Sequence, residues 1–196
     1  MSFDGPEPIA LALRRVGELI QASGEHFRIV IIGGAAMNLL GIVARATTDV
    51  DILAFGDLGS DARSGPAIAR PPKPLPAGLI AAAQAVAREM GLRPDWLNAG
   101  PASQWDLGLP PGLESRIEWR THAALDVGLV GRLDLIHFKL YAAADDTGPK
   151  SVHFQDLLAL SPSLAELAVA RKWIVSQDAG LERITTEVVA HVQHAR

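Results

Sequence analysis

Two acidic residues, Asp49 and Asp51, alternate with the apolar Val50 and Ile52 in the run TTDVDILAF. Alternate side chains of a strand point to the same face, so both carboxylates are predicted to share one face. Two acids this close repel each other unless a cation or a proton lies between them. Their hard oxygen atoms suit Mg²⁺ or Mn²⁺, which bind through one or two carboxylates together with substrate phosphates. A solvated strand end is the alternative interpretation, and it is the stronger one for two acids considered alone.

Two glycines, Gly33 and Gly34, follow the apolar run 27–32 and precede a short helix-forming segment. Glycine lets the backbone approach a phosphate closely, and the helix start that follows would direct free N–H groups at it. The spacing matches neither a P-loop nor a Rossmann fingerprint. A tight turn that packs a helix on a strand is compatible with the same residues. The pattern predicts a phosphate-sized gap near the carboxylates, which suggests metal-dependent nucleotidyl transfer.

These residues occur in one stretch, GGAAMNLLGIVARATTDVD, which resembles the GG…G..R.T.D-x-D signature of the polymerase-β-like nucleotidyltransferase superfamily. Within that superfamily the chain is most similar to the AbiEii-type toxins of bacterial type IV toxin–antitoxin systems and their uncharacterised relatives. A later stretch, FKLYAAADDTGPKSVHFQDLLAL, resembles the second conserved block of that branch. The two blocks cover roughly a fifth of the chain, in the family's order. The matching residues are Gly33, Gly34, Gly41, Arg45, Thr47, Asp49 and Asp51, followed by Lys139 and Asp156.

The resemblance implies a reaction and its requirements. The expected enzyme moves a nucleoside monophosphate from a nucleoside triphosphate to an acceptor hydroxyl, releases pyrophosphate and needs Mg²⁺ or Mn²⁺. The acceptor would be the 3′ end of a tRNA or a protein side chain, and a toxin of this kind would have an antitoxin partner. Two alternatives stay open. One is a small-molecule nucleotidyltransferase, as in antibiotic modification; the other is a degenerate relative that binds a nucleotide or a partner without turnover.

The resemblance also assigns roles to the matching residues. Metal binding is expected of Asp49 and Asp51, and triphosphate binding of Gly33, Gly34 and Thr47, with Arg45 either steering phosphate or fixing the loop before the strand. Lys139 would contact phosphate as a point charge. Asp156 would orient Lys139 or take part in catalysis. Without the resemblance, Lys139 is better interpreted as a helix lysine whose charged end extends into water.

The superfamily usually has a third carboxylate on a neighbouring strand. Asp126, in AALDVGLV, is the best-placed candidate for a third metal ligand, and Glu118, in RIEW, is the second. Neither lies in a distinctive motif, so a site with one metal ion is an alternative to a site with two. His153 lies one helical turn before Asp156 and is interpreted as a surface histidine, with a role as a base or a phosphate contact as the alternative.

Apolar periodicity and turn residues predict an α/β (α+β) fold: a mixed sheet flanked by helices, with a helical C-terminal portion. A catalytic domain is expected over residues 1–132 and a helical portion over 133–196, with one continuous domain as the alternative. A long Pro-rich loop is expected over 56–78. Strands are predicted at 27–32, 48–55, 116–119 and 124–130, and helices at 9–21, 35–40, 79–90, 134–146, 151–160, 163–175 and 181–194.

Composition limits the class of protein. Of the 196 residues, 48% are hydrophobic and 20% are charged, which predicts a folded core rather than disorder. The formal charge of -4 disfavours a large nucleic-acid footprint, although Arg63, Arg70 and Lys73 of the Pro-rich loop could supply a small one. The first ten residues do not resemble a signal peptide, and no apolar run reaches the roughly 18 residues of a transmembrane helix. We therefore expect a cytoplasmic protein without membrane contact.

Overall fold

The computed structural model of the chain describes residues 2–58, 68, 70–101, 104–105, 108–145 and 151–195. Over these residues the fold is mixed α/β, as predicted, with a five-stranded mixed sheet, a two-stranded sheet and seven α-helices. The strands are β1 (Phe3–Asp4), β2 (Phe27–Ile32), β3 (Ala46–Thr47), β4 (Val50–Phe55), β5 (Leu97–Asn98), β6 (Glu118–His122) and β7 (Leu125–Leu129). The helices are α1 (Pro6–Ala22), α2 (Gly33–Leu39), α3 (Ala77–Met90), α4 (Arg132–Asp145), α5 (Val152–Ala159), α6 (Leu164–Gln177) and α7 (Glu182–His194).

The chain divides into two compact units, Met1–Val130 and Gly131–Arg196. The first unit contains both sheets together with α1, α2 and α3, and the second contains α4 to α7. No helix within the described ranges is long and apolar enough to cross a membrane.

The five-stranded sheet of the first unit has the order β5-β4-β2-β7-β6. Strand β2 runs antiparallel to β4 and parallel to β7, so the sheet is mixed. The central residues of β2, Ile29 to Ile31, have no exposed surface. A strand covered on both faces needs apolar side chains at successive positions, which is why this run does not alternate with polar residues. The strand predicted over 27–32 is confirmed, with Phe27 half-buried and the other five residues buried.

The two-stranded sheet and a tryptophan hold the segment that leads into β4. Strand β1 pairs antiparallel with β3, so that Phe3 faces Thr47. Phe3 contacts the fully buried Trp96 edge to face, at 5.5 Å between ring centroids. The Trp96 carbonyl accepts a hydrogen bond from the Val50 N–H at 2.6 Å. Trp96 is therefore a core residue, and it anchors the residue between Asp49 and Asp51.

Helix α1 packs against the hairpin of β6 and β7 at a glycine. A Cβ atom at Gly17 would overlap the His122 backbone carbonyl, which cannot move away as a flexible side chain could. The absence of a side chain lets the helix approach the hairpin closely, and the Gly17 carbonyl accepts a hydrogen bond from the Ala124 N–H at 3.4 Å. Gly17 thus fixes the distance between α1 and one edge of the sheet.

Helix α6, the third helix of the second unit, begins with a capping box. The Ser163 hydroxyl accepts a hydrogen bond from the Glu166 N–H, and the Glu166 carboxylate accepts one from the Ser163 N–H. Helix α6 then buries Leu167, Ala170 and Ile174. This spacing of three to four residues is the apolar stripe of an amphipathic helix. All seven predicted helices are present, with ends that differ from the prediction by a few residues.

Three local predictions are corrected. Helix α2 begins at Gly33, so the double glycine forms its first turn rather than a separate turn before it. Strand β4 begins at Val50, so Asp49 precedes the strand instead of lying in it. Arg116 ends a 3₁₀ turn over Leu113–Arg116, and β6 therefore starts two residues later than predicted. In the Pro-rich segment, residues 59–67 and 69, including Arg63, lie outside the described residues.

Candidate active site

A β-bulge sets the position of Asp51. The pairing of β2 with β4 passes from Val30 and Ala54 to Ile31 and Ile52, so that Leu53 is the extra residue on β4. Beyond the bulge, Asp51 faces Ile32, the last residue of β2. Bulges of this kind re-aim the side chains that follow them and are frequent beside active sites. The carboxylate of Asp51 is thereby placed next to the start of α2.

The Asp51 carboxylate lies between two glycine backbones. A Cβ atom at Gly33 would be 2.9 Å from Asp51 Oδ2, and one at Gly100 would be 3.8 Å from Asp51 Oδ1. Gly33 also has a φ angle of 76°, a conformation that side chains other than glycine rarely adopt. A side chain at position 33 would therefore be strained by the backbone conformation and would displace the Asp51 carboxylate.

Gly34 faces the two polar side chains that precede β4. A Cβ atom at Gly34 would lie 3.0 Å from Arg45 Nη2 and 3.1 Å from Thr47 Oγ1. The structure thus brings together residues from two separate parts of the first motif. A cation, a hydroxyl group and an exposed peptide backbone at this spacing are groups that can hold phosphate oxygens.

Asn38 joins these parts and was missed in the sequence. Its side chain is fully buried; Nδ2 donates to the Gly34 carbonyl at 2.9 Å, and Oδ1 accepts from the Arg45 N–H at 3.3 Å. Both ends of the amide are used, as a buried polar group requires. The detectable signal was a single amide residue within the apolar helix AAMNLL.

Asp49 is half-buried directly before β4. The hydroxyl groups of Thr47 and Thr48 approach its carboxylate at 3.5 and 3.4 Å. The pKa of Arg93 is raised, first by its hydrogen bond to Asp95 and to a smaller extent by the negative charge of Asp49. A cation therefore lies within Coulombic range of Asp49, on the side of the segment between α3 and β5.

The donor set allows a simple test of whether Mg²⁺ fits. Asp49 and Asp51 supply hard oxygen atoms, whereas no group of three or more His, Cys, Asp or Glu residues is assembled for a metal in the part of the chain that the structure describes. Mg²⁺ is commonly held by one or two carboxylates and completed by waters and substrate phosphates. The residues fit an ion shared with a phosphate, and they do not form a closed protein cage.

Asn98 lies on β5, which pairs with β4 on the side away from β2. Strand β5 runs parallel to β4, with Asn98 in register with Asp51 and Leu97 in register with Val50. Register partners on adjacent strands present their side chains on the same face. The sequence of this segment predicts no strand. A two-residue edge strand has too few positions to show an alternating pattern.

Asp126 does not belong to this group, which corrects its prediction as a third metal ligand. It pairs in register with Arg28, at the beginning of β2, whereas Asp51 pairs with Ile32 at the end. Four residues of strand correspond to about 13 Å along the sheet. Asp126 instead accepts a hydrogen bond from Thr121 at 2.7 Å and lies 3.7 Å from the Arg28 guanidinium. It is the counter-ion of a buried arginine.

Glu118, the second candidate, lies on the edge strand β6 at the far side of the sheet. It is in register with Leu129, which is in register with Ile31. Glu118 therefore shares the face of Ile31, and Asp51 shares the face of Ile32. Because Ile31 and Ile32 are consecutive and point to opposite faces of the sheet, the two acids also point to opposite faces. Its carboxylate is bound by Arg120 at 2.7 Å. Neither predicted third acid reaches the site.

Lys139 and Asp156 form an ion pair in the second unit. Lys139 Nζ lies 2.7 Å from Asp156 Oδ2, and the two side chains are only 7% and 1% exposed. The interpretation of Lys139 as a lysine that extends into water is therefore wrong. The geometry agrees with an orienting role of Asp156 toward Lys139. His153 lies one turn before Asp156 in α5 and is half-buried.

Comparison of the chain with protein-family models, with curated proteins and with solved structures gives no match. The resemblance to nucleotidyltransferases therefore rests on the sequence motifs alone.

Proposed function

We propose that the chain is a metal-dependent nucleotidyltransferase that moves a nucleoside monophosphate from a nucleoside triphosphate to an acceptor hydroxyl. One observation carries this proposal. The first turn of α2 contains two glycines, and each is packed against different groups. Gly33 lies against the Asp51 carboxylate, and Gly34 lies against Arg45 and Thr47. A carboxylate for a cation, and a guanidinium and a hydroxyl group for phosphate, thus lie against one short turn of bare backbone.

In this proposal the acceptor oxygen attacks the α-phosphorus, the bond to the β-phosphate oxygen breaks, and pyrophosphate leaves while the acceptor hydroxyl loses its proton to solvent. Gly33 and Gly34 let the triphosphate lie against the backbone, because no side chain stands in the way. Arg45 neutralises phosphate charge, and Thr47 donates a hydrogen bond. Asp49 and Asp51 hold Mg²⁺, which when bound supplies charge neutralisation of the triphosphate and activation of the acceptor hydroxyl.

The proposal gives Lys139 the role of a phosphate contact and Asp156 the role of the carboxylate that orients it. The buried pair supports the second role, because the carboxylate holds the ammonium group in one geometry. The first role is taken from the resemblance and is tested separately below.

The acceptor is proposed to be the 3′ end of a tRNA or a hydroxyl of a protein, with an antitoxin partner restraining the activity. A small-molecule acceptor uses the same phosphate and metal chemistry. These acceptors are distinguished by what becomes labelled, so one experiment can address all of them.

The test is incubation of the protein with each α-labelled nucleoside triphosphate and Mg²⁺ or Mn²⁺, in the presence of total tRNA, lysate protein or aminoglycoside-type alcohols. We expect one acceptor class to become labelled. The Asp49→Ala, Asp51→Ala double variant should lose at least about 100-fold in rate, since charge stabilisation at a reacting phosphate is usually the largest catalytic contribution.

Glu118→Ala is the matched control, because it removes an acid of the same sheet that points to the other face. It should retain wild-type labelling. Labelling that persists in the Asp49, Asp51 double variant would refute the site. Nucleotide binding that depends on Asp51 without transfer to any acceptor would instead support the degenerate, binding-only alternative.

A further inference from the structure

Asn98 stands directly beside the proposed site, on an edge strand. It is in register with Asp51 on the adjacent parallel strand, and adjacent strands are separated by about 4.8 Å. The Oδ1 atoms of Asn98 and Asp51 both lie within 4 Å of the position that a Cβ atom of Gly100 would occupy. The amide therefore shares the immediate surroundings of the carboxylate.

The orientation of this amide is determined by its single side-chain hydrogen bond among the described residues. The Gly100 N–H donates to Asn98 Oδ1 at 2.6 Å. Because a backbone N–H can only donate, the oxygen must be the atom that faces Gly100, and the NH₂ group must point elsewhere. Asn98 thus offers two N–H donors to a partner other than Gly100.

We infer that Asn98 Nδ2 donates a hydrogen bond to a phosphate oxygen of the nucleotide, which makes Asn98 a residue that selects for an anionic ligand. The inference rests on the proposed function, because it requires a phosphate beside Asp51. An acid at position 98 would carry a negative charge beside Asp51 and would repel that phosphate unless it bound a cation. The neutral amide avoids this repulsion and supplies a hydrogen bond to a charged acceptor, which is stronger than one to a neutral acceptor.

The test is calorimetric titration of the full chain with a non-hydrolysable nucleoside triphosphate in the presence of Mg²⁺. Asn98→Ala removes the donors and should weaken triphosphate binding about tenfold to 100-fold. Asn98→Asp keeps an oxygen for the Gly100 N–H but replaces the donors by a charge, and should weaken binding more than Asn98→Ala. If Asn98 were instead a metal ligand, Asn98→Asp would strengthen binding of both Mg²⁺ and the triphosphate, and that result would overturn the inference.

Two controls separate the possible failures. Asp51→Asn tests the proposed function, which requires that wild type binds the triphosphate and that this variant does not. If that result is obtained and both Asn98 variants bind like wild type, only the inference about Asn98 is refuted. If wild type binds no triphosphate, the proposed function and this inference fail together. Thermal unfolding shows whether each variant is folded. Asn98→Ser retains a small hydroxyl donor. If the contact is a hydrogen bond, this variant should recover part of the affinity that is lost in Asn98→Ala.

Discussion

At the scale of single residues, the ion pair of Lys139 and Asp156 has two separable consequences. A charged pair that is 7% and 1% exposed has lost most of its hydration, and each partner compensates the other. Removal of one partner leaves a buried charge, whereas replacement of both by apolar side chains is often neutral. Stability and phosphate binding can therefore be measured apart from each other.

We predict that Lys139→Met costs about 3–5 kcal/mol in the free energy of unfolding, because the buried Asp156 carboxylate loses the ammonium group that lies 2.7 Å from it. The double variant Lys139→Met, Asp156→Leu should recover most of this loss. Urea unfolding, monitored by circular dichroism, measures both values. Equal instability of the single and double variants would contradict the compensation of charges.

The same double variant examines the functional role of Lys139. A folded double variant with weaker triphosphate affinity supports a phosphate contact. A folded double variant with wild-type affinity shows that the pair serves stability alone.

At the scale of elements, the start of α6 depends on one carboxylate. Glu166 closes the capping box with Ser163 and binds Arg132 at 2.6 Å. The hydrogen bond from Arg132 is the main reason that the pKa of Glu166 is lowered from 4.5 to about 2. A lowered pKa in the folded state means that the ionised carboxylate stabilises the fold above the unfolded-state pKa.

We predict that Glu166→Gln lowers the free energy of unfolding by about 2 kcal/mol at pH 7, a value reduced from the full pKa shift because Arg132 is 42% exposed. The difference from wild type should shrink as the pH falls from 4.5 toward 2, where Glu166 becomes protonated in the folded state too. Glu187→Gln is the control, since its pair with Arg183 is largely exposed and should contribute little. A difference for Glu166→Gln that does not change with pH would contradict this account.

At the scale of the whole molecule, the net charge of -4 restricts how a nucleic-acid acceptor can be bound. Affinity for nucleic acid falls with salt in proportion to the number of phosphates that the protein neutralises. An acidic protein is expected to neutralise few phosphates and to recognise the end of an acceptor rather than a long duplex.

If the acceptor is a tRNA, we predict that its apparent affinity falls no more than about tenfold between 50 and 200 mM salt, which corresponds to about two phosphate contacts. The measurement is the KM for tRNA at several salt concentrations. The nucleoside triphosphate KM, measured in parallel, serves as the control for general effects of salt on the enzyme. A loss of 1,000-fold or more would indicate an extended basic surface and contradict the small footprint.

The sequence determined the elements. Runs such as 27–32 and 79–90 have one strong apolar or helical pattern each, and local preference together with burial is enough to predict their type. The glycines and the two acids of the first motif could also be recognised in the sequence as candidate site residues. Glycine is required by the backbone conformation, and the acids are required by their charge. The capping box at Ser163 and Glu166 could be predicted because it depends only on residues three positions apart.

The tertiary structure decided what lies beside Asp51. Strand order and register are set by contacts between residues far apart in the chain, and a single bulge at Leu53 changes the register between Ala54 and Ile52 and so decides which residue of β2 faces Asp51. The sequence around Asp126 predicts a strand, but it does not predict the partner of that strand. Pairing with β2 places Asp126 at the other end of the sheet. Asn98, in a strand of two residues, has no periodicity of its own and acquires its position only by pairing with β4. Residue types and short spacings predicted the chemistry that we propose, and only the pairing of distant strands determined which side chains lie beside Asp51.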